Sequence, residues 1–252
     1  MNLTNANYFE DTHYMSVSSY KLFKHCENKG LKGFGTPSKD MLVGSYVDAY
    51  VEGTLSEFCA EHPEIISSQG KTKGELKAEF KKAVEVCDFI DHDKVLQQFL
   101  SGEKQVIMTG EITDVPFKIK MDSYSPKIAI NDLKVMYTIT DSRGNYIDFI
   151  SKWGYDLQLA CYQEIVFQNT GDRLPVYICA VTKENPINSA VINIPQVVLD
   201  RALYSVQADL SHYYDVRRGI VLPKGCGLCA ECISKREKTP IISMIDIMEG
   251  GY

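Results

Sequence analysis

With 252 residues, 44% hydrophobic and 24% charged, the chain has an ordinary globular composition and length enough for one large core or two small ones, of which one domain spanning 1–252 is expected. No apolar run approaches the roughly 18 residues of a membrane span, and Met1 to Asn5 lacks the basic-then-apolar pattern of a signal peptide, so a cytoplasmic protein with no membrane partner is expected. A formal charge of −6 excludes a protein that coats nucleic acid by bulk positive charge, while clusters such as Lys71, Lys73, Lys77, Lys81 and Lys82 leave room for local contact.

The first helix is predicted from Met15-Ser16-Val17-Ser18, where a serine can cap free amides, through Tyr20, Leu22, Phe23 and Cys26. A glycine-bearing loop over residues 30–35 follows, then a helix over residues 39–55 with Leu42, Val43, Val47, Tyr50 and Val51 inward. Asp48 falls among these apolar positions. A carboxylate is costly to bury unpaired, so it either reaches the rim, the commoner arrangement, or faces a cation. Residues 73–100 carry a long amphipathic helical pattern with a break near Asp91-His92-Asp93.

Three strands come next. Residues 104–113 alternate through Val106 and Met108, with Glu111 near the end. Val115 to Asp122 alternates again, Ser123-Tyr124-Ser125-Pro126 has turn composition, and residues 128–135 form the third strand. A polar loop over 141–148 leads to a helix over 153–168, in which Gln158 and Tyr162 are four apart and share a face. Strands over 174–182 and 190–194 follow, and Pro195 opens a last helix through Tyr213. The order of elements predicts an α/β fold with a mixed central sheet, partly antiparallel and partly crossed over by the 153–168 helix.

The period of two residues along a strand places Asp132 and Lys134 on one face. With Asp122 from the preceding strand, the hairpin carries two carboxylates and a lysine. Carboxylates that converge suit a hard divalent cation, Mg²⁺ or Mn²⁺, and a neighbouring lysine can hold an attacking water or offset charge developing on phosphorus. The same residues could equally make a cross-strand salt bridge on a half-buried hairpin.

These elements resemble the PD-(D/E)XK nucleases, in particular the RecB/RecE-like exonucleases of phages and prophages, and the likeness covers most of the chain. It implies a core of a helix, a three-stranded meander, a helix and a further strand. By that resemblance Asp122 and Asp132 are metal ligands and catalytic residues, the Leu133 carbonyl completes the metal site, and Lys134 is the catalytic lysine. Gln158-Leu159-Ala160-Cys161-Tyr162 matches the Gln-x-x-x-Tyr element of the RecB branch, implying that Gln158 and Tyr162 engage the substrate strand. In Gly44-Ser45-Tyr46-Val47-Asp48 the family's usual histidine is replaced by Asp48, which can still ligate a hard cation. Glu111 lies where related enzymes sometimes carry an additional carboxylate.

Of the eight cysteines, Cys26, Cys59, Cys87, Cys161 and Cys179 sit in or beside apolar patterns, while Cys226, Cys229 and Cys232 form a Cys-x-x-Cys-x-x-Cys run. Three thiolates so spaced can wrap one soft metal, with Cys26 as candidate fourth ligand. In relatives such as the AddB nucleases and some CRISPR-associated exonucleases, one cysteine before the core joins three after it around a four-iron, four-sulfur cluster. The likeness is partial, because those relatives space the last two cysteines more widely. An iron-sulfur cluster, zinc and free thiols all remain open, on a C-terminal segment from about residue 223 to 252 that packs on the core.

The expected function is metal-dependent hydrolysis of DNA phosphodiester bonds, by exonuclease action on linear duplex. The resemblance further implies a homo-oligomer and a single-strand annealing protein as partner. The alternatives are a structure-specific endonuclease and a non-catalytic DNA-binding adaptor on the same fold.

Overall fold

The computed structural model describes residues 3–5, 7–239, 241 and 243–245. Its frame is a five-stranded sheet in the order β1-β2-β3-β4-β5: β1 Glu103–Ile112, β2 Val115–Ser125, β3 Ala129–Met136, β4 Val176–Thr182 and β5 Ser189–Asn193. β3 and β4 run parallel, joined across one face by α7 (Phe149–Trp153) and α8 (Tyr155–Thr170); the other neighbours are antiparallel. Only a crossover of this length can join parallel neighbours, so the mixed sheet follows from the helix between them.

Alternation along the strands feeds two cores. On one face Phe117, Ile119, Met121, Ile130 and Ile178 meet α1 (Val17–His25), α8 and α9 (Gln196–Arg217). On the other Leu133, Cys179 and Val181 meet α3 (Lys39–Glu52), α5 (Ala78–His92) and α6 (Lys94–Phe99). This is the mixed α/β architecture the sequence predicts. No helix among the described residues is long and apolar enough to cross a membrane.

Several local expectations are corrected. Residues 30–35 are not all loop: α2 (Glu27–Lys32) follows α1 directly, and Gly30 lies inside it. A β-carbon at Gly30 would stand 2.4 Å from the Phe23 ring, so this glycine serves a close approach rather than a turn. α3 stops at Glu52, where Gly53 caps it at φ +82°, and a short α4 (Leu55–Glu61) that the apolar pattern did not reveal follows. The break expected near Asp91-His92-Asp93 is present: the 73–100 pattern divides at Asp93, whose carboxylate accepts from the Val95 and Leu96 amides at 2.9 and 3.0 Å and caps α6. Residues 123–125 are strand, not turn, pairing with 129–131. The 153–168 helix is α8, Tyr155–Thr170, and a short α7 that the pattern does not predict precedes it, set off by Gly154 at φ +61°.

The N-terminal segment covers β2 where β3 does not. Met15 exchanges backbone hydrogen bonds with Pro116 and Lys118, each of 2.8 Å. The buried Lys118 ammonium donates to the carbonyls of Tyr8 at 2.5 Å and Asp11 at 2.8 Å, pinning this segment. The C-terminal segment from about 223 includes α10 (Ala230–Ser234); residues 240, 242 and 246–252 lie outside the described residues.

Candidate active site

The site forms where β2 and β3 part. Their ladder runs Ser125↔Ala129, Tyr124↔Ile130 and Ser123↔Asn131 and then stops, one step before Asp122 would oppose Asp132. The reason is local: the Leu133 amide donates at 2.9 Å to Asp122 Oδ2 instead of to a backbone carbonyl. A side chain has replaced a ladder bond, and the two carboxylates flank the opening. Asp132 and Lys134 share a face, as the period predicts, and form an ion pair. Lys134 Nζ also donates to the Leu133 carbonyl at 3.1 Å and lies 5.1 Å from the Tyr155 ring centre.

Asp48 is not at the rim. It projects from α3 into this group, between a cleft of about 430 Å³ that it shares with Asp122, Glu52 and Lys120 and one of about 850 Å³ that it shares with Lys134, Trp153 and Tyr155. Burial, then the Asp122 charge, holds the Asp48 carboxyl well above the ordinary carboxylate range. Burial likewise raises Asp132, and although Lys134 opposes this, Asp122 adds to it, leaving Asp132 at about 7. Burial pulls Lys134 down, but Asp132, Asp122 and Asp48 together more than reverse it, so the ammonium is held charged.

This electrostatic surplus fits a divalent cation. Asp132 Oδ2 is buried and has no hydrogen-bond donor of acceptable geometry, meeting only the Lys134 charge. The Lys134 ammonium rests on two oxygens, Asp132 Oδ2 and the Leu133 carbonyl, so a cation already satisfies that pair. Asp48, Asp122, Asp132 and the Leu133 carbonyl are all hard oxygen donors of the kind Mg²⁺ and Mn²⁺ prefer. They are more loosely gathered than a preformed cage: among the described residues only the cysteines bring three or more ligating side chains within 4.8 Å of one another.

Gln158 Nε2 donates at 2.8 Å to Asp132 Oδ1 and at 3.0 Å to the Tyr162 hydroxyl. These hydrogen bonds tie both side chains to Asp132. Tyr162 is only 8% exposed and, with Gln158, lines a small cavity beside Tyr8, Lys118 and Arg217. Glu111 is not brought to the site. Antiparallel pairing sets the end of β1 against the start of β2, Glu111 opposite Pro116, about 20 Å along the strand from Asp122 at the strand rise. Its amide and carbonyl bind the Gln168 side chain at 3.0 and 2.7 Å.

Two residues at the site have no signal in the sequence pattern. Lys21 of α1 donates to the Trp153 carbonyl at 2.9 Å, and burial, then repulsion from Lys134, lowers it to about 8. Glu52, one turn beyond Asp48, is half-buried, bonded by Gln105, and raised first by burial. Gln105 could have been noticed only from its backbone: at φ 51° it interrupts the β1–β2 register opposite Asp122. Cys26 and the distant run Cys226, Cys229 and Cys232 do converge, as expected.

None of the curated proteins matches this chain. A crystal structure from Eubacterium rectale, of a protein described as a "Putative exonuclease", shares 42% identity over 99% of both chains, with a TM-score of 0.90. The model of a PDDEXK-like domain of unknown function (DUF3799) matches residues 16–235, from the cap of α1 to the end of α10. The chain therefore belongs to this PDDEXK-like family, and its sheet and helices have that nuclease fold.

Proposed function

We propose that the chain is a metal-dependent deoxyribonuclease, an exonuclease acting on linear double-stranded DNA. The observation that carries this reading is the opening between β2 and β3, where Asp122, Asp132 and Lys134 meet with Asp48 facing them from α3. The Eubacterium rectale relative, described as a "Putative exonuclease", supports the same class.

Asp122, Asp132, the Leu133 carbonyl and Asp48 would hold Mg²⁺ or Mn²⁺, whose chemistry there is to neutralise the scissile phosphate and acidify a water. Lys134, kept charged by its acidic neighbours, orients the attacking water and offsets charge on the phosphoryl oxygens. Gln158 fixes the rotamer of Asp132, and Tyr162 fixes Gln158. Lys21 adds a second cation behind Lys134.

The two clefts that meet at Asp48 differ in charge. One presents Lys134, Lys152 and Lys183, the last paired with Asp40 at 2.5 Å, together with Tyr137, Trp153 and Tyr155, and Tyr137 and Trp153 are largely exposed. Cations interleaved with aromatic faces suit a nucleic acid strand whose bases stack. The other presents Asp48, Glu52, Glu57, Glu61 and Asp122, relieved by Lys120 alone among fixed cations. A polyanion approaching the metal ligands from the first cleft meets an acidic wall beyond them, which favours cleavage near a strand end over passage of a continuous strand. A phage-type recombination role, with an annealing protein and an oligomeric ring, rests on the family resemblance alone.

The test is digestion of end-labelled linear duplex and of closed circular duplex with Mg²⁺ or Mn²⁺. Release of nucleotides from the linear substrate alone supports the exonuclease. Linearisation of the circle moves the reading to an endonuclease, and binding of DNA without cleavage of either moves it to an adaptor.

A further inference from the structure

The iron-sulfur cluster implied by the resemblance does not fit the four cysteine sulfurs. Cys26 Sγ stands 3.5 Å from Cys232 Sγ and 3.6 Å from Cys229 Sγ, and Cys226 Sγ stands 4.0 Å from Cys232 Sγ. All four sulfurs lie within 4.8 Å of one another. A tetrahedron with metal–sulfur bonds of about 2.3 Å has sulfur–sulfur edges of about 3.8 Å. A four-iron cubane puts a separate iron behind each thiolate and spreads the cysteine sulfurs to on the order of 6 Å.

We propose that Cys26, Cys226, Cys229 and Cys232 hold one zinc ion in a closed, four-thiolate, structural site. The four sulfurs have the spacing that a single tetrahedral ion sets, and they leave no ligand position for water or substrate. The surrounding donors fit thiolates. The Leu228 and Cys229 amides point at Cys226 Sγ at 3.5 and 3.3 Å, the Cys226 amide at Cys26 Sγ at 3.4 Å, and Asn28 Nδ2 at Cys232 Sγ at 3.4 Å. Donors of this kind orient ligating sulfurs and offset their charge. The turn is built for close wrapping: a β-carbon at Gly225 would stand 2.9 Å from Cys232 Sγ, and Gly227 adopts φ +76°. The ligand set is soft throughout, so Mg²⁺ or Mn²⁺ destined for the carboxylates does not compete for it.

The site ties the junction of α1 and α2 to the start of α10, across 200 residues from Cys26 to Cys226. Binding exchanges four thiol protons for one Zn²⁺. The docking does not rest on the metal alone, because Lys32 pairs with Glu231 at 2.8 Å and the buried Glu27 accepts from His212 Nε2 at 2.7 Å and the Lys224 amide at 2.5 Å.

The experiment is elemental analysis and visible absorption of the full chain, purified without oxygen so that an iron-sulfur cluster would survive, beside Cys229→Ser and a Cys59→Ser control. About one zinc per chain in a colourless protein, kept in Cys59→Ser and reduced at least tenfold in Cys229→Ser, is expected. Cobalt exchanged into the intact chain should give the intense visible bands of a tetrahedral thiolate ion. If Cys229→Ser does not fold, the intact chain's metal content and cobalt spectrum decide the matter. About four irons with acid-labile sulfide and brown absorption, a single iron in place of zinc, or a folded chain with no metal and freely reacting thiols would each overturn the proposal.

Discussion

Binding of a divalent cation at Asp122, Asp132 and Asp48 should expel protons. Asp132 sits at about 7 against an ordinary 3.8, so in the cation-free protein it is roughly nine-tenths protonated at pH 6 and one-tenth at pH 8. A cation that needs the carboxylate must displace that proton, and Asp132 alone then tightens the apparent affinity about tenfold, or about 1.4 kcal/mol, between pH 6 and 8. Asp48, also raised by burial and by Asp122, steepens the dependence, and Asp48→Asn should remove that increment. The sign carries over to stability. A carboxyl raised on folding contributes stability that is whole below its unfolded value and is lost as pH climbs through its folded one, so the cation-free protein loses this contribution between about pH 4 and 7. Added Mn²⁺ should restore melting temperature most at the upper end. Titration calorimetry with Mn²⁺ at pH 6, 7 and 8, in two buffers of different ionisation enthalpy, counts the protons. A flat affinity with no buffer-dependent heat would refute the account of these carboxyls as a charge surplus awaiting a cation.

Three further outcomes are expected. Lys134→Ala should lower cleavage on the order of 10²- to 10³-fold while Mn²⁺ affinity holds or tightens, since the ammonium and the cation share Asp132 Oδ2 and the Leu133 carbonyl; a parallel loss of both would make the lysine a scaffold element, read from nucleotide release beside calorimetry. Lys118→Met should destabilise by about 2–3 kcal/mol in urea unfolding, because the Tyr8 and Asp11 carbonyls lose their donor, and an unchanged midpoint would contradict the pinning of the N-terminal segment. Gly30→Ala should cost about 1–3 kcal/mol in the same assay as the new methyl meets the Phe23 ring, whereas a neutral effect would mean that α1 and α2 can separate freely.

Much of this site is legible in the chain because strands encode faces directly. The alternation that sets Asp132 beside Lys134 also sets Leu133 and Val135 toward the opposite core, and the pairing register delivers Asp122 to the same opening. What the pattern could not convey depends on three-dimensional partners. From the apolar pattern alone Asp48 reads as a rim residue, and only the family resemblance marks it as a ligand; the packing of α3 over β3 turns it toward the acids. Glu111 reads as a neighbour of Asp122 because both end predicted strands, yet antiparallel pairing sends those ends apart. Gly30 resembles loop composition, but the Phe23 ring, seven residues earlier, requires it. Lys21 lies among apolar residues of α1, and its value of about 8 arises from burial and then from Lys134, more than a hundred residues away.

The most direct test of the central claim compares nucleotide release by the intact chain with release by Asp122→Asn and Asp132→Asn, using end-labelled linear duplex and Mn²⁺ or Mg²⁺. Each amide keeps the shape of its side chain while removing the charge that would hold the cation, and retained melting behaviour would show that the fold is kept. The account predicts cation-dependent release by the intact chain and a loss of at least two orders of magnitude in either variant. Equal release by all three proteins would place the chemistry elsewhere and contradict the assignment of this opening between β2 and β3 as the catalytic centre.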